Sequence, residues 1–149
     1  MKLLIDADGC PVVDICIKIC GQYNIECLII CDTAHEYNVQ GAKTVTVEKG
    51  ADSVDFKLVN MISKGDIVVT QDYGLAAMCL ARNAGVLNQD GMVYDENNID
   101  SLLNSRHTAK KIRLAGGRLS GPNKRKPEQN ETFMLRLENI INSSFSIIM

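Results

Sequence analysis

The chain has no Trp and only three Phe and four Tyr among its 149 residues. With so little aromatic surface, base stacking is not expected to dominate any contact with nucleic acid. No stretch approaches the roughly 18 consecutive apolar residues that a membrane span requires. Asp6 and Asp8 interrupt the N-terminal apolar run within a few residues, so no signal peptide is expected. Zinc spacing is also missing. The six cysteines, Cys10, Cys16, Cys20, Cys27, Cys31 and Cys79, form no CxxC pair and have no histidine at ligand spacing. They read instead as reduced, mostly buried small hydrophobes of a cytoplasmic protein. Cys10 stands apart, because it falls beside the aspartate pair. Neither sign of charge is in large excess, with 16 Lys and Arg against 18 Asp and Glu and a net charge of -2.

What the chain does have is length for one domain with a real core, residues 1–149, and an alternation of strand and helix. Lys2–Asp6 reads as a buried strand, and Pro11 is placed at the first turn of a helix running over Val12–Tyr23. Ile25–Cys31, Lys43–Val47, Ile67–Thr70 and Val86–Asn88 read as further strands. Helices are expected from about Ser53 to Ile62 and over Leu75–Asn83. Asn97–Leu103 and Thr108–Leu114 read as two short helices, and a closing helix is expected over about 131–142. The apolar tail Phe145–Met149 is far too short to span a membrane. It is expected to dock on the domain or on a second copy, so a homo-oligomer is a candidate state. This alternation implies a parallel sheet covered on both faces, with ligands at the C-terminal strand ends.

Four aspartates fall where such a sheet would gather them. Asp6 and Asp8 follow the first strand, two residues apart and so on one side of an extended segment. Asp72 follows the Ile67–Thr70 strand. Asp55 shares a helical face with Leu58, Val59 and Ile62, the core-facing stripe. A carboxylate there is costly unless paired or bound to a cation. Crowded carboxylates repel unless a proton or cation intervenes. A divalent metal with oxygen ligands, Mg²⁺ or Mn²⁺, is the expected partner, and it points toward phosphate chemistry. Plainer readings stand beside this one: solvated turn aspartates at 6 and 8, a helix cap at Asp72, and first-turn dipole compensation at Asp55. Asp52 is a cap or a fifth ligand. Thr70 and Asn88 are candidates for orienting the carboxylates by hydrogen bonding. His35 is a lone loop histidine.

A basic segment, residues 105–127, complements the acids. From Arg106 to Lys126 there are eight Lys or Arg and no Asp or Glu. His107, Lys110, Lys111, Arg113, Arg118, Lys124, Arg125 and Lys126 are the candidate phosphate contacts, against the plainer reading of a solvated helix and loop.

The segments Asp6-Ala7-Asp8-Gly9-Cys10-Pro11-Val12, Gly50-Ala51-Asp52-Ser53-Val54-Asp55-Phe56, Gly65 to Ala76 and Gly116-Gly117-Arg118…Gly121-Pro122 resemble the YaiI/YqxD family of bacterial proteins. The resemblance runs from Met1 to about Ile141. That family looks related to PIN-like nucleases, which implies a three-layer α/β/α sandwich with a central parallel sheet and metal-dependent ribonuclease activity. Carried over by motif, the nuclease aspartates become Asp6, Asp55 and Asp72, with Asp8 an addition typical of the family. The helical acid that many PIN domains place between the second and third strands has no counterpart here; Glu36 is the nearest.

Three functions follow as expectations. The first is a metal-dependent phosphodiesterase acting on RNA rather than DNA, with Asp6, Asp8, Asp55 and Asp72 at its centre. The second is a haloacid-dehalogenase-type phosphatase using Asp6 and Asp8, which Pro11 and the Thr70-Gln71-Asp72 segment fit poorly. The third is a non-catalytic RNA- or protein-binding module with a vestigial metal pocket, favoured by the missing acid. A receiver-like phosphoacceptor is disfavoured, since Asn88 and Gln89 stand where a Lys would follow the last strand.

Overall fold

A computed structural model describes residues 1–32, 39–48, 50, 53–116 and 124–148, excluding the side chains of 106–109, 113 and 145–148. One six-stranded sheet organises the chain. In order come β1 (Lys2–Asp6), α1 (Val13–Tyr23), β2 (Glu26–Asp32), β3 (Lys43–Val47), α2 (Ser53–Met61), β4 (Ile67–Val69), α3 (Tyr73–Ala81), β5 (Gly85–Leu87), β6 (Val93–Tyr94), α4 (Ile99–Leu114) and α5 (Pro127–Ile148). The strands lie in the order β3-β2-β1-β4-β5-β6.

Five strands are parallel, and β6 returns antiparallel to β5, Leu87 facing Val93. The expected parallel sheet is thus present, with one short antiparallel strand added at its edge. Two residues, Val93 and Tyr94, are too few to show a period in sequence. The side chains of successive strand residues pack on opposite faces. Leu3, Ile5, Cys27, Ile29, Val69 and Leu87 meet α1 and α5 on one face. Leu4, Leu28, Ile30, Val68 and Val86 meet α2, α3 and α4 on the other. Helices thus cover both faces, a three-layer α/β/α arrangement.

Several expected boundaries move. Pro11 lies in the turn before α1 rather than inside it, and Val12 takes the N-cap position. Asn24 ends α1 in a left-handed conformation, φ 55°, its N–H donating to the Cys20 carbonyl. The two short helices expected over 97–114 are a single helix, α4. Its Asn104–Thr108 stretch is polar but contains no Gly or Pro to stop it. The closing helix runs from Pro127, a favoured first-turn residue, to Ile148, and so takes up most of the apolar tail. No helix among the described residues is long and apolar enough to cross a membrane. All six thiols are free, and five are buried. Burial, then Asp55 and Asp6, pushes the Cys79 thiol up to about 12, so it is unreactive at neutral pH.

Candidate functional site

Strand order reverses beside β1, since β2 and β3 lie to one side of it and β4 to β6 to the other. The crevice beyond the C-terminal ends of β1 and β4 is the natural ligand position in such sheets. The register pairs Ile5 with Val69, which carries Asp6 to the level of Thr70. Thr70, 1% exposed, is a junction. Its Oγ1 donates to Asp6 Oδ2 at 2.8 Å and accepts from the backbone N–H of Asp72 at 3.0 Å. Tyr94 donates its hydroxyl to the Thr70 carbonyl at 3.2 Å. With the Asp72 N–H occupying a lone pair, the single hydroxyl proton of Thr70 is directed at Asp6.

Asp72 sits at the N-cap of α3, its Oδ1 accepting from the N–H of Leu75 at 3.1 Å. This is the plainer reading of Asp72, a helix cap. Asp8 reaches the crevice differently from the expected strand alternation. It is exposed in a turn closed by the Cys10 N–H on the Ala7 carbonyl at 3.0 Å. Gly9 makes that turn possible with φ +72°, a conformation that disfavours any side chain. Gln71 fastens the turn to the other strand end, its Nε2 donating to the Gly9 carbonyl at 3.1 Å. Asp55 is half-buried in the first turn of α2, on the side of Leu58.

The four carboxylates share one electrostatic neighbourhood. Burial first raises the Asp6 carboxyl to about 6, the Thr70 hydrogen bond opposes this, and the charges of Asp55, Asp8 and Asp72 add to it. Among the described residues, no three His, Cys, Asp or Glu converge closely enough to hold one metal ion. The aspartates share a crevice and a field, not a finished ligand cage. As a donor set they fit a hard cation in kind: anionic oxygens only, around an Asp6 that burial, with the neighbouring charges adding to it, holds well above the usual carboxylate range.

Thr70→Val removes the one interaction that favours the charged form of Asp6. Its carboxyl is then expected to rise further. If the site is catalytic, loss of that orienting bond lowers activity roughly 10- to 100-fold. A pH–rate profile of the variant checks both, with an upward-shifted acid limb as the signature.

The basic candidates divide. Lys110 and Lys111 are exposed on α4, and Lys124 and Lys126 flank the start of α5 in the open. Arg125, one of the candidate phosphate contacts, makes a structural clasp. Its Nη1 donates to Asp90 Oδ1 at 2.7 Å, its Nη2 to the Gln89 carbonyl at 2.7 Å and its Nε to Asn130 Oδ1 at 2.8 Å. Gln129 adds a bond to Asp90 at 3.1 Å, so the start of α5 is tied to the β5–β6 turn. Asn88 lies in that same turn. Its Oδ1 accepts from the N–H groups of Asp90 and Met92, both at 2.9 Å, and so shapes that turn. Arg125→Ala is expected to cost about 1–3 kcal/mol of stability, the range for hydrogen bonds to charged groups. Lys124→Ala should cost almost nothing. Urea midpoints of the two variants compare them directly.

Asp52, His35, Glu36 and Arg118 lie outside the described residues, as do the side chains of His107 and Arg113. Two residues of the site carried no readable signal: Gln71, one polar residue among many, and Tyr94, whose strand is too short to recognise.

Fold and site together define an α/β/α domain with a carboxylate crevice at the point where strand order reverses. The chain belongs to the YaiI/YqxD family, described as uncharacterised, whose pattern it matches over residues 4–143. A UPF0178 protein of Exiguobacterium sibiricum is 52% identical over 133 residues, covering 89% of this chain and 91% of its own. One from Ruminiclostridium cellulolyticum is 53% identical, covering 89% and 87%. One from Natranaerobius thermophilus is 43% identical over 141 residues, covering 95% and 96%. The crystal structure of a Rae1 (YacP) variant from Bacillus subtilis overlaps 96% of this chain and 99% of its own, at 12% identity and a TM-score of 0.42. An overlap that loose bears on neither chemistry nor partners.

Proposed function

We propose that this protein is a phosphodiesterase that cleaves RNA with the help of Mg²⁺ or Mn²⁺. One observation carries the reading: at the β1/β4 switch point Asp6 is buried and, with the charges of Asp55, Asp8 and Asp72 adding to that burial, its carboxyl is raised to about 6. Crowding of that kind is a standing cost to the fold unless a cation or the chemistry itself uses it. Asp6, Asp8, Asp55 and Asp72 would hold the ion, with Asp52 a further ligand. When bound, the ion supplies an acidified water and stabilises charge on the phosphate.

The remaining work falls to the chain. Thr70 holds Asp6 in one orientation, and Gln71 fastens the Asp8 turn against the β4 end. Lys110, Lys111, Lys124 and Lys126, with Arg113 and Arg118, would contact backbone phosphates without reading sequence.

The test is cleavage of single-stranded and structured RNAs by the purified chain in Mn²⁺, beside Asp72→Asn. Asn is as good an N-cap as Asp, so this variant keeps α3 while removing the charge. Cleavage that requires Mn²⁺ and falls at least a hundredfold in Asp72→Asn is expected. Absence of cleavage, or an unaffected variant, refutes the reading.

A further inference from the structure

Four of the five buried thiols lie on the α1 side of the sheet, Cys16 and Cys20 on α1 and Cys27 and Cys31 on β2. The carboxylate crevice uses none of them, yet the fold brings two of them together. β1 and β2 are parallel, so α1 between them runs the opposite way and its last turn comes down over the start of β2. The reversal is tight. The Cys20 carbonyl accepts from the N–H of Asn24 and, at 2.9 Å, from that of Ile25. Ile25 and Cys27 alternate with the exposed Glu26 and so face the same way, into the core under α1. Side chains on a helix lean toward its N-terminus, which carries the Cys20 thiol along β2 from Ile25 toward Cys27. There a hydrogen bond joins the two sulfurs.

The two thiols are unequal. The hydrogen bond from Cys20 holds the Cys27 thiol below its ordinary value, against burial, while the same bond, then burial, pushes Cys20 up. Cys27 is thus the better nucleophile, and Cys20 the thiol beside it. We propose that Cys20 and Cys27 form a redox-modification site, which a hydroperoxide closes into a reversible disulfide. The Cys27 thiolate attacks one oxygen of hydrogen peroxide. The O–O bond breaks, the other oxygen leaves as water with the thiol proton, and Cys27 becomes a sulfenic acid. The Cys20 sulfur then attacks that of Cys27. The S–O bond breaks, and a second water leaves with the Cys20 proton. Two thiols give up two electrons in all, and the peroxide is reduced to two waters. Gly21 and Gln22, next to Cys20, are exposed, and the last turn of a helix frays, which admits a molecule little larger than water. Cys27 is level with Leu3 in the register, so the bond forms toward the end of the sheet away from Asp6 and does not depend on the phosphodiesterase reading.

The test is treatment of the folded, reduced chain with excess hydrogen peroxide, followed by denaturation, thiol counting and mass spectrometry. The oxidised chain should be lighter by two hydrogens, and two of its six thiols should no longer react until dithiothreitol restores them. Cleavage after Lys18 parts Cys16 from Cys20, and cleavage after Glu26 parts Cys20 from Cys27. A double digest should therefore yield the Cys20 and Cys27 peptides joined, with the Cys16 peptide separate. The closed loop holds eight residues, Cys20 to Cys27, and should raise the melting temperature by about 5–10 °C. Cys20→Ala and Cys27→Ala should each abolish both the linkage and this rise. Should either variant fail to fold, the peptide map of the natural chain decides alone. Six reactive thiols after treatment, added oxygen without loss of hydrogen, or a linkage from Cys27 to Cys16 overturns the proposal. So does a melting temperature that falls on oxidation, since the sulfurs would then have been dragged together against the fold.

Discussion

Asp6→Asn is expected to be more stable than the natural chain at pH 7.5 and slower at cleavage by on the order of 10³. Both effects come from one carboxylate. Burial, with the neighbouring acids, raises Asp6 from 3.8 to about 6. Between those values the folded state retains a proton that the unfolded chain releases. Stability therefore falls as pH rises from about 4 to about 6, and above that the loss is complete. Asn carries no charge, and its carbonyl still accepts from Thr70, so the variant avoids this loss. A shift of that size corresponds to about 1–3 kcal/mol after allowing for partial solvent access. The gain should be present at pH 7.5 and vanish below pH 4, as urea midpoints at the two values would reveal. In the reaction, the same change removes an anionic ligand. Several kcal/mol of charge stabilisation in the transition state corresponds to the thousandfold drop. Mn²⁺ should raise the melting temperature of the natural chain and not of the variant. Equal stabilities at both pH values would discard the crowding account, and an undiminished rate would remove Asp6 from the chemistry.

The second large effect lies at the opposite end of the same two strands. Asp66 is 2% exposed just before β4. It accepts from the N–H of Lys2 at 3.1 Å and that of Ser63 at 2.8 Å, and its Oδ2 is paired with the Lys2 ammonium at 2.5 Å. Asp66→Ala orphans two backbone donors and leaves Lys2 without its partner. The expected loss is about 3–5 kcal/mol, a large part of the stability of a domain of this size. Asp66→Asn keeps an acceptor and should lose less, so it stands in if the alanine variant does not fold. Denaturant midpoints measure both. Cleavage per folded molecule should not change in Asp66→Asn, because the crevice is at the other end of β1. A loss under 1 kcal/mol in Asp66→Ala would show that the pair contributes little.

The parallel strands were readable because they are buried on both faces, which leaves unbroken runs such as Leu3-Leu4-Ile5 and Ile67-Val68-Val69. The adjacency of β1 and β4, on which the site depends, followed from the alternation of elements rather than from any residue. Asp66 went unread because an aspartate after Lys64-Gly65 looks like an ordinary turn residue. Its partner is 64 positions away, at Lys2. The clasp of Arg125 went unread for the same reason. Within a run of like charges it resembles its neighbours, and only the fold brings Asp90 to it across 35 positions. Asp8 was placed at the right end of the right strand by the wrong geometry, since a strand pattern cannot show that Gly9 turns the chain one residue early.

Phe133, Leu137 and Ile141 project from α5 into the same core as Leu3, Ile5, Val69 and Leu87. The cover that α1 begins on that side of the sheet is thus completed by the stretch a ribosome delivers after all six strands. Until residues 127–148 have cleared the exit tunnel, the part of that apolar surface beyond α1 is bare, and the nascent polypeptide is a client for whatever shields greasy patches in the cell. A stop codon near residue 124 would leave every aspartate of the crevice in place and still yield a product prone to clumping.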